Sequence, residues 1–196
     1  MTITDRIRNL RIETLSDTWY VLRKVTFDFR RRDGTWQTQS REAYDRGNGA
    51  AILLFNRERG TVLLTRQFRY PAWSNGLTEG MLIEVCAGLL DEDDPETAIR
   101  REAEEETGYR LESVRHVLDA YMSPGSVTER LSFFAAEYDG SQKVNDGGGE
   151  QGSTEDIELL EMPLADALCK IETGEIVDAK TIMLLQWAAL ANLFGS

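Results

Sequence analysis

Gly88-Leu89-Leu90-Asp91-Glu92-Asp93-Asp94-Pro95 leads through residues 96–100 into Arg101-Glu102-Ala103-Glu104-Glu105-Glu106-Thr107-Gly108, and the whole reads as a strand end, an acidic loop and a helix. Proline suits the first helical position, so Pro95 opens the helix with Asp94 as its N-cap, and Gly108 ends it. On a helix, positions three and four apart share a face. Glu102, Glu105 and Glu106 therefore point one way while Glu104 lies far round the cylinder. Like charges at that spacing cost roughly 0.2–0.5 kcal/mol per pair, and no lysine follows to relieve them. Spacing alone leaves two readings open. One is a solvated acidic face, and the other is a cradle for a hard divalent cation such as Mg²⁺, which is commonly held by one or two carboxylates plus substrate phosphates.

Residues 82–87 are predicted to form a strand that stops at Gly88. Before it, 50–55 and 61–64 are buried-strand patterns on either side of the Arg59-Gly60 turn. Further upstream, 19–29 and 35–44 are rich in β-branched and aromatic residues and meet across Arg32-Asp33-Gly34. This is a hairpin annex, with Arg30, Arg31 and Arg32 at its solvated end. Downstream, strands are predicted at 114–122 and 130–138, followed by a Gly-rich loop over 139–154 that is too polar to pack. A strand over 157–162, a helix opened by Pro163 and an apolar helix over 180–194 complete the chain. Strands and helices interleave without a regular βαβ beat. The pattern fits an α/β sandwich, with a mixed sheet between helices, better than a doubly wound sheet.

At 196 residues the chain accommodates one catalytic domain, 49–196, behind an N-terminal annex, 1–48. Acidic residues outnumber basic ones 34 to 22, and the net charge of -12 repels a polyphosphate backbone, which disfavours nonspecific nucleic-acid binding. Cys86 and Cys169 are the two cysteines and form no CxxC pair, so buried free thiols are expected rather than a disulfide framework or a zinc site. No secretory signal is read in 1–11, and no stretch reaches the roughly 18 apolar residues of a membrane helix, so a cytoplasmic protein is expected. His116 is the single histidine and has no serine elbow or reactive cysteine beside it, which makes it structural. Asp91-Glu92-Asp93-Asp94 lacks the sixth-position glycine of a calcium-binding EF-hand loop.

The order Gly88, acidic loop, Arg101-Glu102, Glu105-Glu106, Gly108-Tyr109 resembles the Nudix box. Arg101 to Gly108 matches its second half completely. The first half departs, because the loop is one residue short and Asp93 or Asp94 stands where the family has its first glutamate. The resemblance implies a Nudix α/β/α sandwich with a mixed sheet and an N-terminal antiparallel strand annex. It also implies that Glu102, Glu106 and the main-chain carbonyl of Ala87 hold Mg²⁺, with Mn²⁺ as a substitute. Glu105 would support them, and Arg101 would orient a carboxylate.

Further segments, 44–50, Arg66-Gln67-Phe68-Arg69, 83–91, Tyr121-Met122-Ser123-Pro124-Gly125, Gly147-Gly148-Gly149 and Glu155-Asp156-Ile157-Glu158, resemble the GDP-mannose-hydrolysing branch of the ADP-ribose pyrophosphatase group. That resemblance implies hydrolysis of GDP-mannose to GMP and mannose 1-phosphate. Within the same chemistry the alternative is ADP-ribose, giving AMP and ribose 5-phosphate; in another class it is a nucleotide-sugar sensor that does not cleave. Arg69, Ala87, Gly88, Leu89, Glu106, Glu129, Thr154, Glu155 and Lys180 match substrate-contacting positions. Glu155 also matches a late metal ligand and is the first candidate to bring a base near the water, with Glu150 second. In this branch the N-terminal strands exchange across a homodimer and add contacts, here at Trp19, Ser40, Arg41 and Glu42, with Ser40 in place of a lysine. The bland counterparts are a surface ion pair for Arg69, a helix opener in Lys180 and a packing aromatic in Trp19.

Overall fold

The computed structural model describes residues 3–149 and 156–195, which form two compact units. The first, Met1–Asn48 with Tyr121–Leu131, is built on an antiparallel sheet of three strands in the order β1-β2-β3: β1 (Ile7–Asp17), β2 (Val21–Arg30) and β3 (Trp36–Asp45). The hairpin of β2 and β3 is the one predicted. β1 was not, because two bulges, between Arg8 and Arg11 and between Thr14 and Ser16, break the alternation of its apolar residues. Nearly all of β1 is exposed, so backbone pairing rather than a buried face makes it a strand. The 121–131 segment joins β3 through a Tyr44 N–H bond to the Ser126 carbonyl and a Thr128 N–H bond to the Tyr44 carbonyl, 2.8 and 3.1 Å.

The second unit, Gly49–Ala120 with Ser132–Ser196, carries a seven-stranded sheet. Its strands are β4 (Gly49–Asn56), β5 (Thr61–Phe68), β6 (Met81–Glu84), β7 (Cys86–Leu89), β8 (Arg115–Tyr121), β9 (Arg130–Glu137) and β10 (Glu158–Pro163). Its helices are α1 (Tyr70–Ser74), α2 (Pro95–Thr107), α3 (Leu164–Glu172) and α4 (Ala179–Leu190). The path runs β10-β5-β4-β9-β8, with β6 on β5 and β7 on β4.

All eight residues of β4 are buried, which requires cover on both faces. Ala50, Ile52 and Leu54 point to one side and share a core with Ile99 and Ala103 of α2. Ala51, Leu53 and Phe55 point to the other, where α4 packs on β4 and Phe55 meets Phe194 edge-on at 6.0 Å. This alternation is what makes the unit an α/β sandwich.

The expected single strand over 82–87 is two strands. β4 and β5 pair only near their turn, from Leu54↔Leu63 to Asn56↔Thr61, and then part. The chain enters the opening, first pairing β6 with β5 and then β7 with β4. Val85 is the crossing point, and its N–H leaves the ladder to donate to Thr181 Oγ1 at 2.8 Å.

Helix α2 begins and ends as its sequence dictates. Asp94 accepts from the Glu96 and Thr97 N–H groups at 3.1 and 3.2 Å and from the Thr97 hydroxyl at 2.6 Å, while Gly108 closes the helix at φ 77°. These bonds, the Thr97 hydroxyl first, hold the Asp94 carboxyl below its usual pKa. A lowered folded-state pKa stabilises above the ordinary carboxylate range and ceases to do so as pH falls through the folded value. Asp94→Ala is thus expected to lower Tm by a few degrees near neutral pH and by much less near pH 2. Calorimetry at the two pH values checks this, and an equal deficit at both contradicts it.

Cys86 is buried as expected, but Cys169 is exposed on α3. A helix one turn long on each side of Ala167 buries little else, so its sulfur is left outside. Native protein should accordingly show one fast thiol toward a disulfide reagent and a second only on unfolding. Two fast thiols would contradict the burial of Cys86.

Candidate active site

The carboxylates of α2 are graded rather than equivalent. Glu106 lies on the buried face, 5% exposed, beside Ala103 and Thr107. Glu102 is partly covered and Glu105 lies further out, with side chains 21% and 40% exposed. Glu104, on the far side, makes a two-pronged bond to Arg110 at 2.8 and 2.9 Å and takes no part in the cluster.

Arg101 ties this face to the acidic loop. One end of its guanidinium bonds Asp93; the rest lies 3.5 Å from Glu102, 3.7 Å from Asp91 and 4.0 Å from Glu105. The two loop acids that sequence could not separate have separate tasks: Asp94 caps the helix and Asp93 pairs with Arg101. The shortened loop therefore still delivers an acid to the arginine.

β7 brings Ala87 and Gly88 beneath the helix. A methyl group on Gly88 would lie 2.1 Å from Glu102 Cδ, so the glutamate occupies the space that only glycine leaves open. Cys86, next on the strand, has its thiol pushed well above the usual range, first by burial and then by the charge and hydrogen bond of Glu106 and the charge of Glu102, with Lys180 acting oppositely. The charges of Glu102, Glu106 and Lys180 thus all bear on this one buried thiol.

Arg69 and Lys180 meet on a residue that sequence reading passed over. Glu84, 3% exposed at the end of β6, accepts Arg69 Nε at 2.7 Å on Oε2 and Lys180 Nζ on Oε1. Asp178, the N-cap of α4, accepts from the Thr181 N–H and hydroxyl at 3.0 and 2.6 Å and lies 3.1 Å from the same Lys180 ammonium. A lone glutamate in Leu82-Ile83-Glu84-Val85-Cys86 was the available signal, since a charge within a buried strand needs partners.

The described part of the Gly-rich loop, 139–149, does pack, against expectation, mostly through its backbone. Gly149 and Gly148 donate to the Glu105 and Glu106 carbonyls at 3.2 and 2.8 Å, Lys143 Nζ to Thr107 at 2.9 Å, and Val144 to Gly108 at 2.8 Å. The carbonyls at the end of α2 are thereby satisfied by one segment. Gly147 is needed here, because a side chain would fall 2.5 Å from the Glu106 carbonyl and its φ is 72°.

The other predicted residues are distributed as follows. Leu89 ends β7, paired with Gly49. In the first unit Trp19 is 82% exposed and edge-on to Tyr20, Ser40 bonds Thr26 at 3.2 Å, and Arg41 bonds the Ser40 carbonyl at 2.8 Å. Glu42 pairs with Lys24 across the ladder, and Glu129 lies 3.4 Å from Arg46. Glu150, Thr154 and Glu155 lie outside the described residues. His116 is half exposed on β8, 3.2 Å from Asp119 and edge-on to Phe134.

Among the described residues, no group of three or more His, Cys, Asp or Glu side chains could hold a metal ion. Glu102, Glu106 and the main chain at Ala87 offer only oxygen donors, the kind that suits a hard divalent ion, and the Glu102 carboxylate lies over Gly88.

Residues 45–185 match the NUDIX domain model. The chain belongs to the Nudix family. Residues 6–44 of this Nudix chain match the GDP-mannose pyrophosphatase NudK N-terminal domain. The chain is similar to the GDP-mannose pyrophosphatase of Pectobacterium atrosepticum, 57% identical over 92% of this chain and 93% of that one. It is also similar to those of Yersinia enterocolitica, at 55% over 96% and 97%, and Citrobacter koseri, at 52% over 97% and 99%. A crystal structure of an ADP compounds hydrolase superposes with a TM-score of 0.71 over 94% of this chain and 95% of that one, at 18% identity, which shows the shared Nudix fold. Among the described residues of the Nudix chain, no helix is long and apolar enough to cross a membrane.

Proposed function

We propose that this Nudix protein hydrolyses the diphosphate of a nucleoside-diphosphate sugar, with GDP-mannose preferred and GMP and mannose 1-phosphate as products. The observation that carries the reading is the likeness to GDP-mannose pyrophosphatases over nearly the whole chain, 52–57% identical in the three compared. The α2 carboxylates above Gly88 are consistent with it.

Glu102, Glu106 and the Ala87 carbonyl would hold Mg²⁺, with Mn²⁺ as a substitute and Glu155 as a further ligand; bound there, the ion would neutralise the diphosphate and lower the pKa of the attacking water. Glu105 backs this set, and Arg101 steadies Glu102 from the side. Arg69 and Lys180 supply positive charge for the phosphates, Arg69 through a planar fork. Gly88 and Leu89 let the substrate approach the strand, and Glu129 and Thr154 contact it. Glu155, with Glu150 second, takes the proton from the water.

Residues 1–48 act as a dimerisation annex to the hydrolase domain 49–196. In a homodimer with exchanged N-terminal strands, Trp19, Ser40, Arg41 and Glu42 reach the partner's nucleotide. The enzyme works in the cytoplasm on a small nucleotide sugar.

Product analysis on a nucleotide-sugar panel with Mg²⁺ tests the activity. GMP and mannose 1-phosphate should form, and chelation should abolish both. Greater kcat/KM on ADP-ribose transfers the activity to that substrate, and binding without cleavage makes the protein a sensor. Sedimentation should give the mass of two chains, and a monomer would remove the annex's contribution to the site.

A further inference from the structure

We infer that Glu84 is a positioning residue, holding Arg69 and Lys180 as one two-pronged cationic clamp for a diphosphate; the assignment of that ligand rests on the proposed function. Arg69 lies just beyond β5, Glu84 ends β6 and Lys180 opens α4, so the two cations are brought together from elements far apart in sequence. Each takes a different oxygen of the same carboxylate: Arg69 Nε uses Oε2 and Lys180 Nζ uses Oε1. Glu84 is 3% exposed, whereas the Arg69 side chain is 40% exposed.

That combination is more than an ion pair. A carboxylate taken from water requires partners, and Glu84 obtains them by fixing two long, flexible side chains. Arg69 is held by Nε, and its bonds among the described residues leave the two terminal NH₂ groups for an incoming anion. These are the groups that make a planar fork on a phosphate. Asp178 holds the Lys180 ammonium from the other side at 3.1 Å. Two cations and two acids alternate along this row, and the Arg69 guanidinium is its most exposed member.

Calorimetric titration of inorganic pyrophosphate in Mg²⁺ tests this with wild type, Arg69→Gln, Glu84→Gln and the double variant. Each single change should weaken binding by roughly tenfold or more, and the double should lose less than the product of the two. KM for GDP-mannose should rise by a similar factor in Glu84→Gln, with kcat changed less. Losses that multiply, or wild-type binding by Glu84→Gln, would overturn the inference. If Glu84→Gln does not fold, the cycle of Arg69→Gln and Lys180→Gln replaces it, with Glu84 intact. There the same sub-multiplicative loss supports a shared carboxylate, and independent losses overturn it. A wild type that binds pyrophosphate but cleaves no nucleotide sugar sinks the proposed activity and leaves the binding cycle decisive. A wild type that does not bind pyrophosphate overturns the clamp itself.

Discussion

Glu106→Gln should lower kcat/KM on GDP-mannose by about 10³-fold or more while leaving the fold intact. The residue is 5% exposed on the buried face of α2, and the amide has nearly the same shape, so packing changes little. What disappears is a buried negative charge of the carboxylate face, one that acts on the Cys86 thiol of β7. Charge stabilisation by a bound metal is worth several kcal/mol, and about 1.4 kcal/mol corresponds to tenfold in rate. Mg²⁺ affinity, measured by titration calorimetry without substrate, should fall in parallel. Activity within tenfold of wild type would place the metal elsewhere.

Gly88→Ala should lose roughly 10²-fold or more of the turnover through one added methyl group. That methyl would lie 2.1, 2.4 and 2.5 Å from Glu102 Cδ, Cγ and Oε1, none of which is a tolerable contact. The backbone of β7 is paired with β4 through Ala50↔Gly88 and cannot retreat, so the Glu102 side chain must swing away. A misplaced reacting group costs rate steeply, about 10²-fold per ångström. Gly140→Ala serves as the control, because no atom lies within 4 Å of the methyl added there. Steady-state rates and melting curves for both variants decide the matter. An active Gly88→Ala would mean that Glu102 is not needed where it lies.

The chemistry of α2 was legible because helical spacing, proline and glycine are local signals, and Asp94, Pro95 and Gly108 each act at the position that their own backbone demands. The same holds for the two hairpins, which rest on apolar alternation around turn residues. β1 escaped because its bulges break that alternation. The division of 82–87 into β6 and β7 escaped for a different reason: it depends on Thr181, 96 residues away, which takes the Val85 N–H. Glu84 falls inside the strand read over 82–87 and takes no task there, since nothing local says that Arg69 and Lys180 arrive at its two oxygens. The loop over 139–154 read as unpacked because it is polar, although in its described part the N–H groups of Val144, Gly148 and Gly149 and the Lys143 ammonium seal the end of α2. Cys169 followed the usual burial of cysteine until the helix that carries it proved to be shallow.

The wedge of β6 and β7 between parted β4 and β5 has a consequence for the order in which the protein can be made. Glu84 emerges from the ribosome long before Lys180, and for the 96 residues between them its carboxylate lacks the ammonium that its burial requires. The strands can collapse early, but the opening cannot close dry until α4 arrives to supply Lys180 and Thr181. A nascent chain stalled before that helix should hold a hydrated, protease-sensitive sheet, so competence at the site waits on α4, the stitch that closes the opening.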